Sequence, residues 1–377
     1  MFRARLSFAF VTAAVATSCA AKKPIAPPGD QKPRTGLEKR HHVLHMDPVR
    51  FVADPTGKVR VEEVDVGNEF AKAEKLYAAK EYRAALKIYD AIANETTNVA
   101  NKLRAIYNAG LCFEGLKRCH DAVTRYADVT RLAPKSPESR DADVRRVVCL
   151  KTIKRWRDAA DAIETVLKRS DFEAADRIEL AMWRGVAFIH LRDLDEATRI
   201  LRRALDKFDE HAKYERLDKA VAAETLFWLG EIYYRRFFAV LLDDPKTELN
   251  TSMLDKARAL YQARDEYLRA IERGDVYWSA AAAHRIATLY EKLREHVLAI
   301  PIPRELNESQ AELYVSELAR HKIIEPLIGK ATHAHEQVLK LAERMSFDSE
   351  HVRKSRAAIE RLKRLVLKSP VAPPVKP

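Results

Sequence analysis

Glycine is scarce in this chain, 10 residues among 377, and nowhere do apolar and polar side chains alternate with the two-residue period of a half-buried strand. The expected fold is therefore all-α. Cysteine is scarcer still, with 4 residues and no pair of pairs at the spacing of a structural zinc site. Once Cys19 is set aside, Cys112, Cys119 and Cys149 form an odd set that no closed disulfide framework absorbs. Two readings stand for them: a disulfide between Cys112 and Cys119 that closes a helical hairpin, or reduced thiols used as small packing residues. Catalytic punctuation is missing as well. There is no Gly-x-Ser-x-Gly and no phosphate-binding loop, and the fragment His335-Glu336 has Leu339 where a zinc-binding helix needs its second histidine. Around His41, His42 and His45 no neighbouring acidic or cysteine ligands complete a metal site. Neither cofactor nor metal is expected, and an enzyme is the disfavoured class.

What the chain has is repetition. From Ala105 to Pro134 it reads as one helix-turn-helix unit, with Gly110 and Phe113 in a first helix, Ala122, Tyr126 and Val129 on the inner face of a second, and Pro134 as the stop. Second-helix alanines recur at Ala85, Ala122, Ala159 and Ala197, spaced by 37, 37 and 38 residues, each followed four later by Tyr89, Tyr126, Ile163 or Leu201. First-helix glycines recur at Gly110, Gly185 and Gly230, with Val147 in that place in the third unit. A fifth unit delays its second helix, with Ala263, Tyr267 and Ala270, behind an insertion after Asp243-Asp244-Pro245, and such a longer loop costs little closure entropy. This order of small and large side chains resembles the tetratricopeptide repeat, whose period of about 34 residues is slightly exceeded. The resemblance implies a solenoid of helical hairpins wound as a right-handed superhelix, over residues 65–299.

Both ends read differently. Arg3 and Arg5 precede the apolar run Leu6 to Ala16, which is too short to cross a bilayer and has the form of a secretory signal over residues 1–18. Ala16-Thr17-Ser18-Cys19 resembles the bacterial lipoprotein box, which implies lipidation of Cys19 and, because Ala20 is not aspartate, anchoring in the outer membrane. Plain cleavage after Ser18 and a soluble periplasmic protein is the other reading. Residues 19–64, rich in lysine, proline and polar side chains, are expected to be a disordered tether. Residues 300–368 open on Ile300-Pro301-Ile302-Pro303 and continue as helices that close the solenoid, with Pro326 bounding or kinking the longer one. The tail, residues 369–377, carries four prolines and is expected to be disordered. Leu289-Tyr290-Glu291, Pro301-x-Pro303 and Lys330-Ala331 stand in places that resemble the tetratricopeptide lipoproteins of Gram-negative envelopes, including components of gliding-motility complexes.

A hairpin solenoid offers a concave groove, lined by first-helix side chains that do not carry the packing glycine. That face supplies Arg104, Tyr107 and Asn108, then Arg145 and Lys151, then Trp183 and His190, then Phe227, Trp228, Tyr234 and Arg235, and last His284 and Arg285. Aromatic residues beside arginine are what interface anchors are made of. Packing against the next repeat is the alternative, above all for Trp183 and Phe227. A clamp for a partner's C-terminal carboxylate is excluded, because Glu74 and Asp141 stand where such a clamp needs other residues and would repel the ligand. The formal charge is +12, or +10 without Met1 to Ser18, which suits partners with acidic surfaces. Basic residues interspersed with acids along helices are not the clustered patch of a nucleic-acid reader. The expected protein is a non-enzymatic scaffold, tied to a membrane by its N-terminal lipid, that organises other envelope proteins, in gliding motility for example. An accessory of outer-membrane protein assembly and an α-helical glycan-acting enzyme are the alternatives.

Overall fold

The computed structural model describes residues 36–39, 42–45, 50–53, 59–62, 64–213, 216–242, 249–300, 307–310 and 324–368. A one-turn helix α1 (Gly36–Lys39) is followed by strands β1 (Arg50–Ala53) and β2 (Val59–Glu62), paired antiparallel with Arg50 opposite Glu62. These elements fall within residues 19–64, expected from the sequence to be a tether; the rest of that span, residues 19–35 among it, lies outside the described residues. Four-residue strands are too short for a period-2 signal to stand out, so an all-helical reading passed over them.

Five helical hairpins follow. They pair α2 (Val64–Ala78) with α3 (Tyr82–Glu95), α4 (Val99–Gly115) with α5 (Cys119–Leu132), α6 (Pro137–Thr152) with α7 (Trp156–Leu167), α8 (Ala174–His190) with α9 (Leu194–His211), and α10 (Lys219–Ala239) with α11 (Leu249–Glu272). A sixth joins α12 (Val276–Leu298) to α13 (Ile324–Met345), and α14 (Glu350–Lys368) packs against both. Pro326 falls in the first turn of α13, where its missing N–H would have had no intrahelical partner. First helices start on polar caps: the side chains of Asn98, Ser136, Asp218 and Asp275 accept hydrogen bonds from main-chain N–H groups of α4, α6, α10 and α12.

The turns inside the first four hairpins share one backbone device. Lys80, Lys117, Lys154 and Arg192 have φ of 65°, 60°, 60° and 65°. The following residues, Glu81, Arg118, Arg155 and Asp193, donate their N–H groups to the carbonyls of Leu76, Phe113, Leu150 and Phe188. This is a Schellman closure, in which a left-handed residue lets the chain reverse while satisfying the last carbonyls of the helix. Long basic side chains fill a place where glycine is usual, so the turns are invisible to a search for glycine.

Packing then follows the small residues. Ala85, Ala122, Ala159, Ala197 and Ala263 are fully buried, as are Tyr89, Tyr126, Ile163, Leu201 and Tyr267 four residues after them. A Cβ added to Gly110 would lie 2.6 Å from the Tyr126 ring, one on Gly185 2.6 Å from Leu201, and one on Gly230 2.5 Å from the Tyr267 ring. Each of these glycines therefore receives the large side chain of its own hairpin's second helix. Gly230→Ala is expected to lower the midpoint of chemical denaturation by about 1–3 kcal/mol equivalent, because the Tyr267 ring must move in a packed core. Gly329→Ala, where nothing lies within 4 Å, should instead stabilise α13 by about 1 kcal/mol or less. Equal effects at the two sites would contradict this account of the packing.

Candidate peptide-binding groove

The inner faces of α8, α6, α4 and α2 are met, in that order, by the chain's own residues 36–39 and 42–45. Leu37 is 2% exposed and belongs to the main apolar cluster, and its N–H donates to Glu179 Oε2 of α8 at 3.1 Å. Glu38 meets α6: Lys151 Nζ donates to its carboxylate at 3.0 Å, and Arg145 Nη1 to its carbonyl at 3.4 Å. His42 Nε2 lies 3.9 Å from Asp141 Oδ2. Asn108 of α4 then grips the main chain of Leu44 from both sides, its Nδ2 donating to the Leu44 carbonyl at 3.0 Å while its Oδ1 accepts from the Leu44 N–H at 3.0 Å. His45 Nδ1 ends the crossing 3.0 Å from Glu74 Oε1 of α2. The segment thus runs against the order of the repeats.

A buried carboxamide left unpaired is costly, and Asn108 has no solvent exposure. An extended main chain satisfies both ends of it whatever side chains that chain carries. Arg145 is fixed from below by Glu114, to which both Nε and Nη2 donate, while Tyr126 Oη donates to the same carboxylate at 2.6 Å. Lys151 is placed twice over, by Glu38 and by the Trp183 ring, whose centroid is 3.5 Å from its Nζ. Arg104 pairs with Glu138 across α4 and α6 at 3.5 Å, and Tyr107 is buried with its ring tilted on Tyr126 at 5.6 Å.

Further along, α7, α8 and α10 form an aromatic and basic stretch. His190 stacks on Trp156 at 3.9 Å with 4° between the rings and meets Trp228 edge-on at 5.8 Å. Burial, and then the charges of Arg235 and Lys154, push the His190 imidazole below its ordinary pKa. Trp228 Nε1 donates to Glu224 Oε1 at 3.2 Å. Half-buried Arg235 has an Nη1 with no hydrogen-bond partner among the described residues. Arg285 pairs with Glu231 at 2.6 Å, and its guanidinium lies 4.7 Å from the Tyr234 ring centroid.

Besides Tyr107, Asn108 and Arg145, further sequence-derived groove residues are covered instead of open. Trp183 and Phe227 take the packing alternative, Trp183 at 1% exposure and Phe227 against Tyr267 and Trp278 at 5.6 and 4.9 Å. His284 faces α14, with its Nδ1 3.1 Å from Ser355 Oγ. Sequence could not show this, since α14 is 71 residues away at that contact. His335, dismissed as a broken zinc motif, joins the same cluster: its Nδ1 is 3.0 Å from Ser355 Oγ and its Nε2 2.7 Å from Glu291 Oε1. Serine, histidine and glutamate in this order match the order of a hydrolytic triad. Ser355 and His335 are fully buried, however, so the line ties α12 to α13 and α14 and meets no substrate.

The cysteines are resolved by packing. Cys112, Cys119 and Cys149 are free, so the hairpin-closing disulfide is not formed. Burial pushes the Cys112 thiol up to about 12, the behaviour of an inert small packing residue.

No protein-family profile and no curated protein matches the chain. Solved structures similar to it include MamA from Desulfovibrio magneticus RS-1, 18% identical over 53% of this chain and 97% of that one, with a TM-score of 0.36. A TPR repeats protein from Bacteroides fragilis is 16% identical over 72% and 100%, at a TM-score of 0.30. The apo quorum sensor NprR from B. thuringiensis is 12% identical over 81% and 87%, at 0.43. Likeness at this level concerns the stacking of helices and says nothing of a ligand. The expected outer-membrane or periplasmic location, with a lipid anchor, gains no support from these matches, and no described helix is long and apolar enough to cross a membrane. Cys19 and the apolar run Leu6 to Ala16 lie outside the described residues. Among the described residues no group of three or more His, Cys, Asp or Glu could hold a metal ion. Beyond the short β1–β2 pair, the described chain is an α-helical solenoid of paired helices, a repeat fold of the tetratricopeptide type.

Proposed function

We propose that the chain is a peptide-binding scaffold, which holds an extended segment along the inner faces of its first helices and so brings proteins together. The observation that carries this is Asn108, whose carboxamide both donates to and accepts from the main chain of Leu44. Such a contact demands an extended backbone and is indifferent to the side chain, which makes it a general grip. Lys151 then adds preference for a carboxylate and Arg145 a further contact to main chain, in keeping with the basic charge of the whole chain. The packing motifs point to gliding motility by resemblance, with outer-membrane assembly as the alternative, and nothing in the groove selects either.

The reading is tested by selecting peptides from a displayed random library against the full chain and measuring their affinity by calorimetry. Asn108→Ala is expected to weaken selected peptides about tenfold, from the loss of two hydrogen bonds to buried main chain. Selected peptides that bind the variant unchanged, or that crosslink to second helices, would count against the groove.

A further inference from the structure

Resting on the groove reading, we propose that residues 36–39 and 42–45 are an intramolecular ligand that occupies the partner site, and that the partner displaces it with a segment of the same chemistry: a helical turn carrying an aliphatic residue followed directly by an acidic one. Three features of the molecule support this. First, the segment supplies one contact of each kind a peptide would make, namely an apolar side chain sunk into the core at Leu37, a carboxylate on Lys151 at Glu38, and a main-chain grip at Leu44. Second, its hold is partial: Val43 and Leu44 pack against the second apolar cluster but stay half-buried. Leu37 is its one fully buried side chain among the described residues, and its His42 and His45 side chains are 64% and 78% exposed. A longer partner segment that keeps the same contacts and adds others outcompetes it by mass action.

Third, what the groove supplies beyond the segment suits such a partner. Past α8 the inner face continues through Trp228 and the half-buried Arg235, a basic and aromatic stretch. The described part of the segment makes no hydrogen bond there. A partner reaching from Asn108 to Arg235 would gain what residues 36–45 lack. The leucine pocket sets the register, because Leu37 and Glu38 are adjacent while Lys151 and Glu179 stand on neighbouring first helices.

The test uses a fluorescent synthetic peptide with the sequence of residues 36–45 and the full chain in three forms, read by fluorescence anisotropy. In the first variant Leu37→Asp and Glu38→Lys unseat the segment by setting acid against Glu179 and a cation against Lys151. This variant should bind the peptide about tenfold more tightly than the unchanged chain does, since the resident competitor is gone. Adding Lys151→Glu should abolish binding, and a peptide carrying Glu38→Lys should restore it. Equal affinity for the unchanged and unseated chains overturns the competition while leaving the groove reading intact. No binding to an unseated chain that keeps its helical circular dichroism also overturns it, and the library peptides then decide the groove reading separately through their response to Asn108→Ala. Hydrogen exchange on the unchanged chain is independent of any variant: saturating peptide should speed exchange at the Leu37 and Leu44 amides, and unaltered protection in a saturated complex refutes displacement. Sedimentation as a dimer that the peptide dissociates would assign the seat to a second copy's segment, and the in-cis proposal would fall.

Discussion

Lowering the pH from 7 to 5 is expected to loosen the C-terminal end of the solenoid by up to about 4 kcal/mol. The cause is a pair of half-buried imidazoles between α12 and α14. Burial, reinforced by the neighbouring His335, His351, Arg285 and Lys354, pushes His284 down to about 3. Burial and then Arg285 push His351 down to about 4, with Glu350 opposing and Lys354 assisting. The rings are 5.7 Å apart. Unfolding returns each to an ordinary value near 6.5, so the unfolded chain takes up protons between pH 6.5 and 4 that the folded chain refuses. Folding stability from these groups is thus complete above pH 6.5 and lost as pH falls. At pH 5 each contributes a loss of about 2 kcal/mol, and because the neighbours titrate together the sum is an upper figure.

Glu291 acts lower on the pH scale. Burial raises its carboxyl, yet hydrogen bonds from His335 and Arg361 outweigh that and hold it below the usual carboxylate range. Its share of stability is present above that range and disappears only in stronger acid. Urea midpoints at pH 7 and 5, with hydrogen exchange along α14, measure the first effect. His351→Phe should flatten the dependence between pH 6.5 and 5, and a variant with the same slope as the unchanged chain would refute the assignment.

Arg145→Ala is expected to cost about 3–5 kcal/mol, the usual penalty for removing one member of a buried ion pair. Arg145 donates through two nitrogens to Glu114, and the side chains are 5% and 17% exposed. Without it, Glu114 keeps Tyr126 Oη as a donor but retains an uncompensated charge beneath the groove. Arg145→Lys should recover little, because an ammonium cannot reproduce the two-pronged contact. The double variant Glu114→Gln, Arg145→Met should recover most of the loss, since no buried charge remains. Chemical denaturation of the four proteins decides this, and a double variant as unstable as Arg145→Ala would show that packing, not charge, is what Arg145 supplies. The same side chain reaches Glu38, so Arg145→Ala should also speed exchange at the amides of residues 36–45.

Much of the fold was legible because the repeat is a local rule. Ala122 and Tyr126 are one turn apart, and Gly110 meets Tyr126 within one hairpin, so small and large side chains state their pairing within a few residues. The left-handed turns were hidden because Lys80, Lys117, Lys154 and Arg192 carry no glycine signature. In the groove, Asn108, Arg145 and Lys151 came from knowing which helix face points inward. Residues 36–45 read as tether because their composition is polar. The traces were brief, Leu37-Glu38 and Val43-Leu44 in a charged stretch, too few to outweigh composition in a window.

The sequence by itself determined that hairpins form and nest, since that needs only a periodic choice between small and large side chains along each helix. Tertiary structure alone decided which faces stay open. Leu37 reaches Glu179 across 142 residues and His335 reaches Glu291 across 44, and no local spacing encodes such meetings. They arise because stacking fixes a curved inner wall, and residues 36–39, 42–45 and α14 are held where burial and unmet hydrogen-bonding groups reward them most.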